Sequence, residues 1–300
     1  MRFYSNGKLL LTGEYLVLNG ALSLALPSIY GQYLEVHNNN SNVIKWTSYD
    51  KSNRIWFECE LNKENLNIIY SSSKNICKTI IKLITSIREI KPEFLKLTGS
   101  IIKTELTFSK DWGLGSSSTL ISNFSKFAGI NPFELNNKIF NGSGYDIACA
   151  DSKSSLLYKL NNGKRVIKNV KYNPPFKENL YLVYLNKKQN SLNEIKKFKR
   201  NISSKIGTSE ISDITKKIIL CKDQSDFNFL IKEHEKIVSR IISRKRIKEK
   251  LFKDFDGEIK SLGAWGGDFV LVSASKSKPK YYFKRKGYNS IFKLNEVVYI

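Results

Sequence analysis

Apolar residues recur along this chain with two periods, and the switches between them mark its elements. Residues 100–108 (S-I-I-K-T-E-L-T-F) partly alternate apolar and polar, the pattern of a half-buried strand. Residues 30–36 and 43–58 alternate in the same way, separated by a polar turn at 38–42. Residues 75–90 change to helical spacing, with Ile76, Ile80, Ile81, Leu83, Ile84 and Ile87 on one face and Pro92 as a stop. Helical spacing returns from Leu120 onward and over 132–140, where Pro132 suits the first turn. A loop with a Pro-Pro break over 168–175 precedes a strand at 179–185. Residues 194–217 and 226–252 are mainly helical and very basic, and 269–274 form a strand.

Composition adds bounds. A chain of 300 residues with 41% hydrophobic and 12% aromatic residues can build one large core or two ordinary ones, which excludes overall disorder. Cys59, Cys77, Cys149 and Cys221 form no C-x-x-C pair, and with His37 and His234 alone beside them no zinc site is expected. Scattered thiols suit a reducing, cytoplasmic setting. Residues 8–27 are apolar, but Glu14 and two glycines interrupt them, and no run reaches the roughly 18 residues a membrane span needs. The net charge of +23 raises the possibility of a nucleic-acid partner. The basic residues are spread along a Lys-, Asn- and Ile-rich chain, densest at 187–200 and 240–250, and no RNA-binding signature accompanies them. The expectation is therefore compositional drift, with neither nucleic acid nor membrane as partner, and some help to an anionic substrate.

Candidate chemistry begins after the strand at 100–108, with Asp111-Trp112-Gly113-Leu114-Gly115-Ser116-Ser117-Ser118-Thr119. A strand, a glycine loop and a helix start can hold phosphate, because glycines let the backbone approach and the first helical N–H groups point at the anion. The serine hydroxyls can bond phosphate oxygens or coordinate Mg²⁺. No Gly-Lys-Ser/Thr follows, so this is not a Walker A loop. A dinucleotide fingerprint is nearly present in Gly113 and Gly115, with Glu134 at ribose-partner distance, but Ser118 stands where the third glycine belongs. A serine-capped helix start remains the bland alternative.

Two further stretches join this loop. Residues 6–21 read Asn-Gly-Lys, an apolar run, Gly-Glu-Tyr, three apolar residues, Asn, Gly and Ala. Residues 141–148 read Asn-Gly-Ser-Gly-Tyr-Asp-Ile-Ala. In this order the three resemble the motifs of the GHMP kinase superfamily, nearest to mevalonate and phosphomevalonate kinases. Gly144-Tyr145-Asp146-Ile147-Ala148 is similar to a bacterial subgroup named for that string. Residues 261–268 (S-L-G-A-W-G-G-D) resemble the third motif, a glycine-rich turn between a helix and a strand, with Trp265 and Asp268 departing from the usual small residues. A carboxylate there costs energy beside phosphates unless Mg²⁺ or a lysine balances it. The 29-residue step from Ser117 to Asp146 is shorter than in mevalonate kinase and implies a trimmed helical hairpin.

The resemblance implies a two-domain α+β kinase. A ribosomal-protein-S5-like domain would span 1–160, a ferredoxin-like domain 161–300, and the active site would lie between them. It implies Asp146 and Lys8 as catalytic residues, and Gly113, Leu114, Gly115, Ser116, Ser117 and Ser118 as the ATP-phosphate loop. Glu14, Gly144, Tyr145, Gly263, Gly266 and Gly267 would line the substrate side. Mg²⁺ would sit on Ser117, with Glu134 as a further ligand. The implied reaction is transfer of the γ-phosphoryl group of ATP to a hydroxyl or phosphate of a small anionic acceptor, mevalonate or phosphomevalonate, by a monomer or homodimer. Homoserine or another small alcohol is the alternative acceptor, and a diverged nucleotide-binding protein the alternative class.

Overall fold

The computed structural model describes every residue except 141, 190–193, 195–197, 199–205 and 275–277. The chain is α+β, with a large mixed sheet and a second, smaller antiparallel sheet. It divides into two compact units that interleave in sequence.

The first unit comprises Met1–Gly7, Tyr30–Lys110 and Leu114–Asp151. Its strands come from β1 (Arg2–Leu10), β2 (Ser23–Asn39), β3 (Val43–Tyr49), β4 (Ile55–Asn62), β5 (Ile68–Ser71) and β6 (Gly99–Leu106). They run in the order β5-β4-β3-β6-β2, with β1 also on β2; β3 and β6 are parallel, and β2 and β6 antiparallel. Residues 43–58, expected as one strand, are two. The Asp50 carboxylate accepts the N–H groups of Ser52 (2.8 Å) and Arg54 (3.1 Å) and turns the chain between β3 and β4. The five consecutive polar residues 50–54 (D-K-S-N-R) interrupt the alternation there and are the local mark of that turn.

Four helices complete this unit: α1 (Lys74–Arg88), α2 (Ser116–Ala128), α3 (Pro132–Ile139) and α4 (Tyr145–Ala150). In α1 the expected stripe is buried through Ile80, Leu83, Ile84 and Ile87. Against it lies a core in which Trp46 stacks on Phe124 at 5.1 Å and 7°. Asn131 caps α3 by accepting the Phe133 N–H at 2.9 Å. The start of α2 precedes the expected Leu120 by four residues, because its first turns pack through polar groups. Thr119 Oγ1 donates to Gln32 Oε1 (2.8 Å), and Asn123 Nδ2 to the Gln32 carbonyl (2.8 Å).

The second unit comprises Lys8–Ile29, Asp111–Gly113 and Ser152–Ile300. β7 (Ser155–Asn161) pairs with Ser23–Ala25 of β2 and with β8 (Lys164–Val170). β8 therefore takes up residues 168–170 of the expected loop; its side chains are exposed over most of its length, so no buried stripe marks it. The four-stranded antiparallel sheet runs β10 (Gly257–Ser261), β11 (Phe269–Ala274), β9 (Leu180–Tyr184), β12 (Ile291–Lys293). β11 is buried at every position. Its helices are α5 (Thr208–Leu220), α6 (Gln224–Ile241), α7 (Ile247–Leu251) and α8 (Pro279–Arg285). Part of the helix expected over 194–217 lies outside the described residues. The helix expected over 226–252 breaks after Ile241: Ser243 takes a left-handed φ of 52°, and Ser239 Oγ donates to the Arg244 carbonyl. Among the described residues no helix is long and apolar enough to cross a membrane.

Candidate active site

The loop after β6 turns through two left-handed glycines into the start of α2. Trp112 anchors its entry, buried against Phe269 and Phe292 at ring distances of 5.6 and 5.0 Å. Gly113 and Gly115 follow at φ 65° and 89°, a region that costs side-chain-bearing residues energy. Gly115 is the N-cap of α2, and the first N–H turned inward is that of Thr119, onto the Gly115 carbonyl at 3.0 Å. The N–H groups of Ser116, Ser117 and Ser118 precede it at the positive end of a 13-residue helix. The hydroxyls divide in role. Ser117 is exposed, Ser116 is half-buried, and Ser118 Oγ turns back to the Gly115 carbonyl at 2.8 Å. Ser118 thus shapes the loop with its side chain and has only its backbone N–H for a ligand.

Lys8, on β1, reaches this loop directly. Its Nζ donates to the Gly113 carbonyl at 3.0 Å. Asp268 packs directly against Gly113: a β-carbon added at Gly113 would lie 2.5 Å from the Asp268 carboxyl carbon. Asp268 is 5% exposed and holds φ 53°. Its Oδ1 accepts the Gln189 N–H at 3.1 Å, and its backbone bonds Lys187 (2.7 Å) and Leu185 (2.9 Å). Burial raises the proton affinity of this carboxyl; the Gln189 N–H, Lys8 and Lys188 oppose the rise. Lys8 and Lys188 are thus cations that act on Asp268, where a lysine or Mg²⁺ was expected to balance the charge.

Glu14 does not line a substrate surface. It is 1% exposed, and its Oε1 pairs with Lys260 Nζ, itself fully buried on β10. The His234 ring accepts the Gly13 N–H at its Nε2 (2.9 Å), which places the ring proton on Nδ1. Burial and the Lys260 charge hold the ring neutral, so its 3.3 Å approach to Glu14 Oε2 is not an ion pair. Glu235 Oε1 accepts the Ser261 N–H at 3.1 Å, and burial pushes its carboxyl up to about 8. Burial also raises Glu14, which Lys260 pulls part of the way back.

The third glycine stretch sits between β10 and β11, two paired antiparallel strands, and not between a helix and a strand as expected. Residues 257–261 (G-E-I-K-S) supply β10, which is buried from Glu258 to Ser261 although three of those four residues are polar. Gly263 and Gly266 have φ 66° and 98°; Gly267 packs so closely that a β-carbon would meet the Lys187 carbonyl at 2.5 Å. Trp265 is explained by packing: it is buried with Tyr15, Leu16 and Val238, and its N–H donates to Tyr15 Oη at 3.1 Å.

Asp146 lies in the first turn of α4, half-buried, after Gly144 at φ 89°. Its Oδ1 accepts the Ile147 N–H at 3.1 Å, and Tyr145 beside it is half-buried. Glu134 is exposed in the first turn of α3. Among the described residues no three His, Cys, Asp or Glu side chains form a metal-holding group.

Sequence reasoning missed Lys260, His234 and Glu235. One signal was available for His234, which falls in step with Leu230 and Val238 on the buried face of α6. A fully buried lysine on a strand leaves no comparable trace.

No known family profile matches the sequence, and no curated protein does. Solved structures do. The Methanococcus jannaschii mevalonate kinase superposes with a TM-score of 0.66 at 18% identity, over 97% of this chain and 96% of that one. The Streptococcus pneumoniae phosphomevalonate kinase, in complex with phosphomevalonate and AMPPNP, gives 0.67 at 15%, over 95% of each chain. The Lactococcus lactis galactokinase, complexed with galactose, gives 0.63 at 14%, over 95% of this chain and 87% of that one. At such identities the likeness speaks for the backbone, and over nearly its whole length this chain has the GHMP kinase fold.

Proposed function

We propose that this protein is an ATP-dependent small-molecule kinase that moves the γ-phosphoryl group to an oxygen of mevalonate or phosphomevalonate. The observation that carries the reading is the loop at Gly113–Ser118, shaped by two left-handed glycines, opened at the α2 N-terminus and touched by Lys8. That this arrangement occurs on a fold shared with mevalonate and phosphomevalonate kinases supports the choice of acceptor.

Phosphoryl transfer passes through a loose transition state, so alignment and charge placement dominate. The N–H groups of Ser116, Ser117 and Ser118 would bind the nucleotide phosphates. Mg²⁺ supplies charge neutralisation of the phosphate oxygens. The exposed Ser117 hydroxyl suits it, since this ion keeps several waters and takes few protein ligands. Glu134 is the second candidate ligand. Asp146 would accept the proton of the attacking acceptor oxygen. Lys8 would stabilise that oxygen and the moving phosphoryl group.

The test is ADP release from ATP and Mg²⁺ against mevalonate, phosphomevalonate, homoserine and galactose. Turnover on one of the first two, with kcat lowered at least about 10²-fold in Asp146→Ala and nucleotide affinity retained, is the expected result. Near wild-type turnover in Asp146→Ala would remove it as the base, and silence across the panel would sink the acceptor assignment.

A further inference from the structure

Asp268 is a costly residue where it stands. A carboxylate that is 5% exposed is penalised by desolvation, and the left-handed φ of 53° is one that asparagine adopts as well as aspartate. The neutral asparagine would accept the same Gln189 N–H and tolerate the same backbone. The chain bears the desolvation cost to set a negative charge against Gly113, whose carbonyl holds Lys8.

We infer that Asp268 is a positioning residue: its carboxylate, packed against Gly113, keeps the Lys8 ammonium at the Gly113 carbonyl. This rests on the kinase reading for its purpose, though not for its geometry. The charged groups around Asp268 fit the role. Lys8 from β1 and Lys188 attract it, Lys188 is shared with Asp111 at 3.9 Å, and Tyr184 of β9 feels its charge. Lys8 thereby stands at the loop before any phosphate arrives, so less ordering remains to be done in the transition state.

The test separates this inference from the kinase reading by measuring Lys8 itself. Acylation of lysines by an N-hydroxysuccinimide ester, followed by peptide mapping, reports the reactivity of each amine. The neutral amine attacks the ester carbonyl and displaces N-hydroxysuccinimide, and a neighbouring carboxylate disfavours that neutral form. In Asp268→Asn, Lys8 labelling is expected to rise at least threefold at pH 7.5, while lysines remote from this cluster stay within experimental error. Asp268→Gly removes the charge and also relieves the backbone, so it serves if the asparagine variant folds poorly, and it should show the same rise. With an accepted substrate, both variants should lose kcat about tenfold or more, with KM for ATP changed by less than about threefold. Unchanged Lys8 labelling in both folded variants overturns the positioning role. Raised labelling in a protein that transfers no phosphate supports the role and removes the kinase reading instead.

Discussion

Glu14 and Lys260 form an ion pair across 246 residues of sequence, and neither side chain reaches solvent. Two stretches singled out for their resemblance to kinase motifs are joined here by a charge contact inside the second unit. Glu14 belongs to the stretch that carries Lys8, and Lys260 directly precedes the glycine turn that ends at Asp268. The pair is a structural tie for those segments.

Breaking the tie on one side should cost more than removing it altogether. Lys260→Met leaves a buried carboxylate without its cation, and the expected loss is about 3–5 kcal/mol in urea unfolding. The double variant Lys260→Met with Glu14→Gln should recover most of that. If the double variant is as unstable as the single one, packing around Lys260 and not its charge is what matters.

Stability should also depend on pH through Glu235. Its folded carboxyl is raised to about 8 from the usual 4.5, so between those values the folded state holds the proton more tightly. That contribution is present in full below about 4.5 and is lost as pH rises toward 8. His234 acts oppositely: its folded ring is held well below 6.5, so it costs stability as pH falls below that value. Above 6.5 the Glu235 contribution stands without that opposition. Glu235→Gln should therefore be more stable than wild type at pH 8, by on the order of a few kcal/mol, and the gap should close toward pH 5. Parallel stability curves for the two proteins would rule this out.

Gly113 should tolerate no side chain. Alanine there must hold φ 65° and press a methyl group 2.5 Å from the Asp268 carboxyl carbon. Gly113→Ala should lose about 1–3 kcal/mol of stability from the backbone alone, and at least about tenfold in affinity for the AMPPNP–Mg²⁺ complex by calorimetry. The companion Gly113→Ala with Asp268→Gly should recover part of the affinity, because the obstruction is removed.

Trp46 is a test of the first core. Its indole stacks on Phe124 and donates from Nε1 to Ser48 Oγ at 2.9 Å, with 1% of the residue exposed. Trp46→Ala should cost about 3–5 kcal/mol, read as a lower urea midpoint with an unchanged slope.

Local chemistry was legible in the sequence wherever one segment carries its own signal. The amphipathic stripe of α1, Pro132 at the head of α3 and the glycines before α2 and α4 each need only neighbours in the chain, because helical period and left-handed φ are local properties. The order of the motifs carried the fold through resemblance. The helix start at Ser116 and the edge strand β8 escaped, because polar packing and exposure over most of a strand erase the hydrophobic period, whereas the polar run at 50–54 did mark its turn. Tertiary structure alone decided that Glu14 is buried on Lys260, that Lys8 holds the Gly113 carbonyl and that Asp268 presses on Gly113. A charge in a sequence reads as solvated until its partner is known, and here the partners lie more than 100 residues away, beyond the reach of any local pattern.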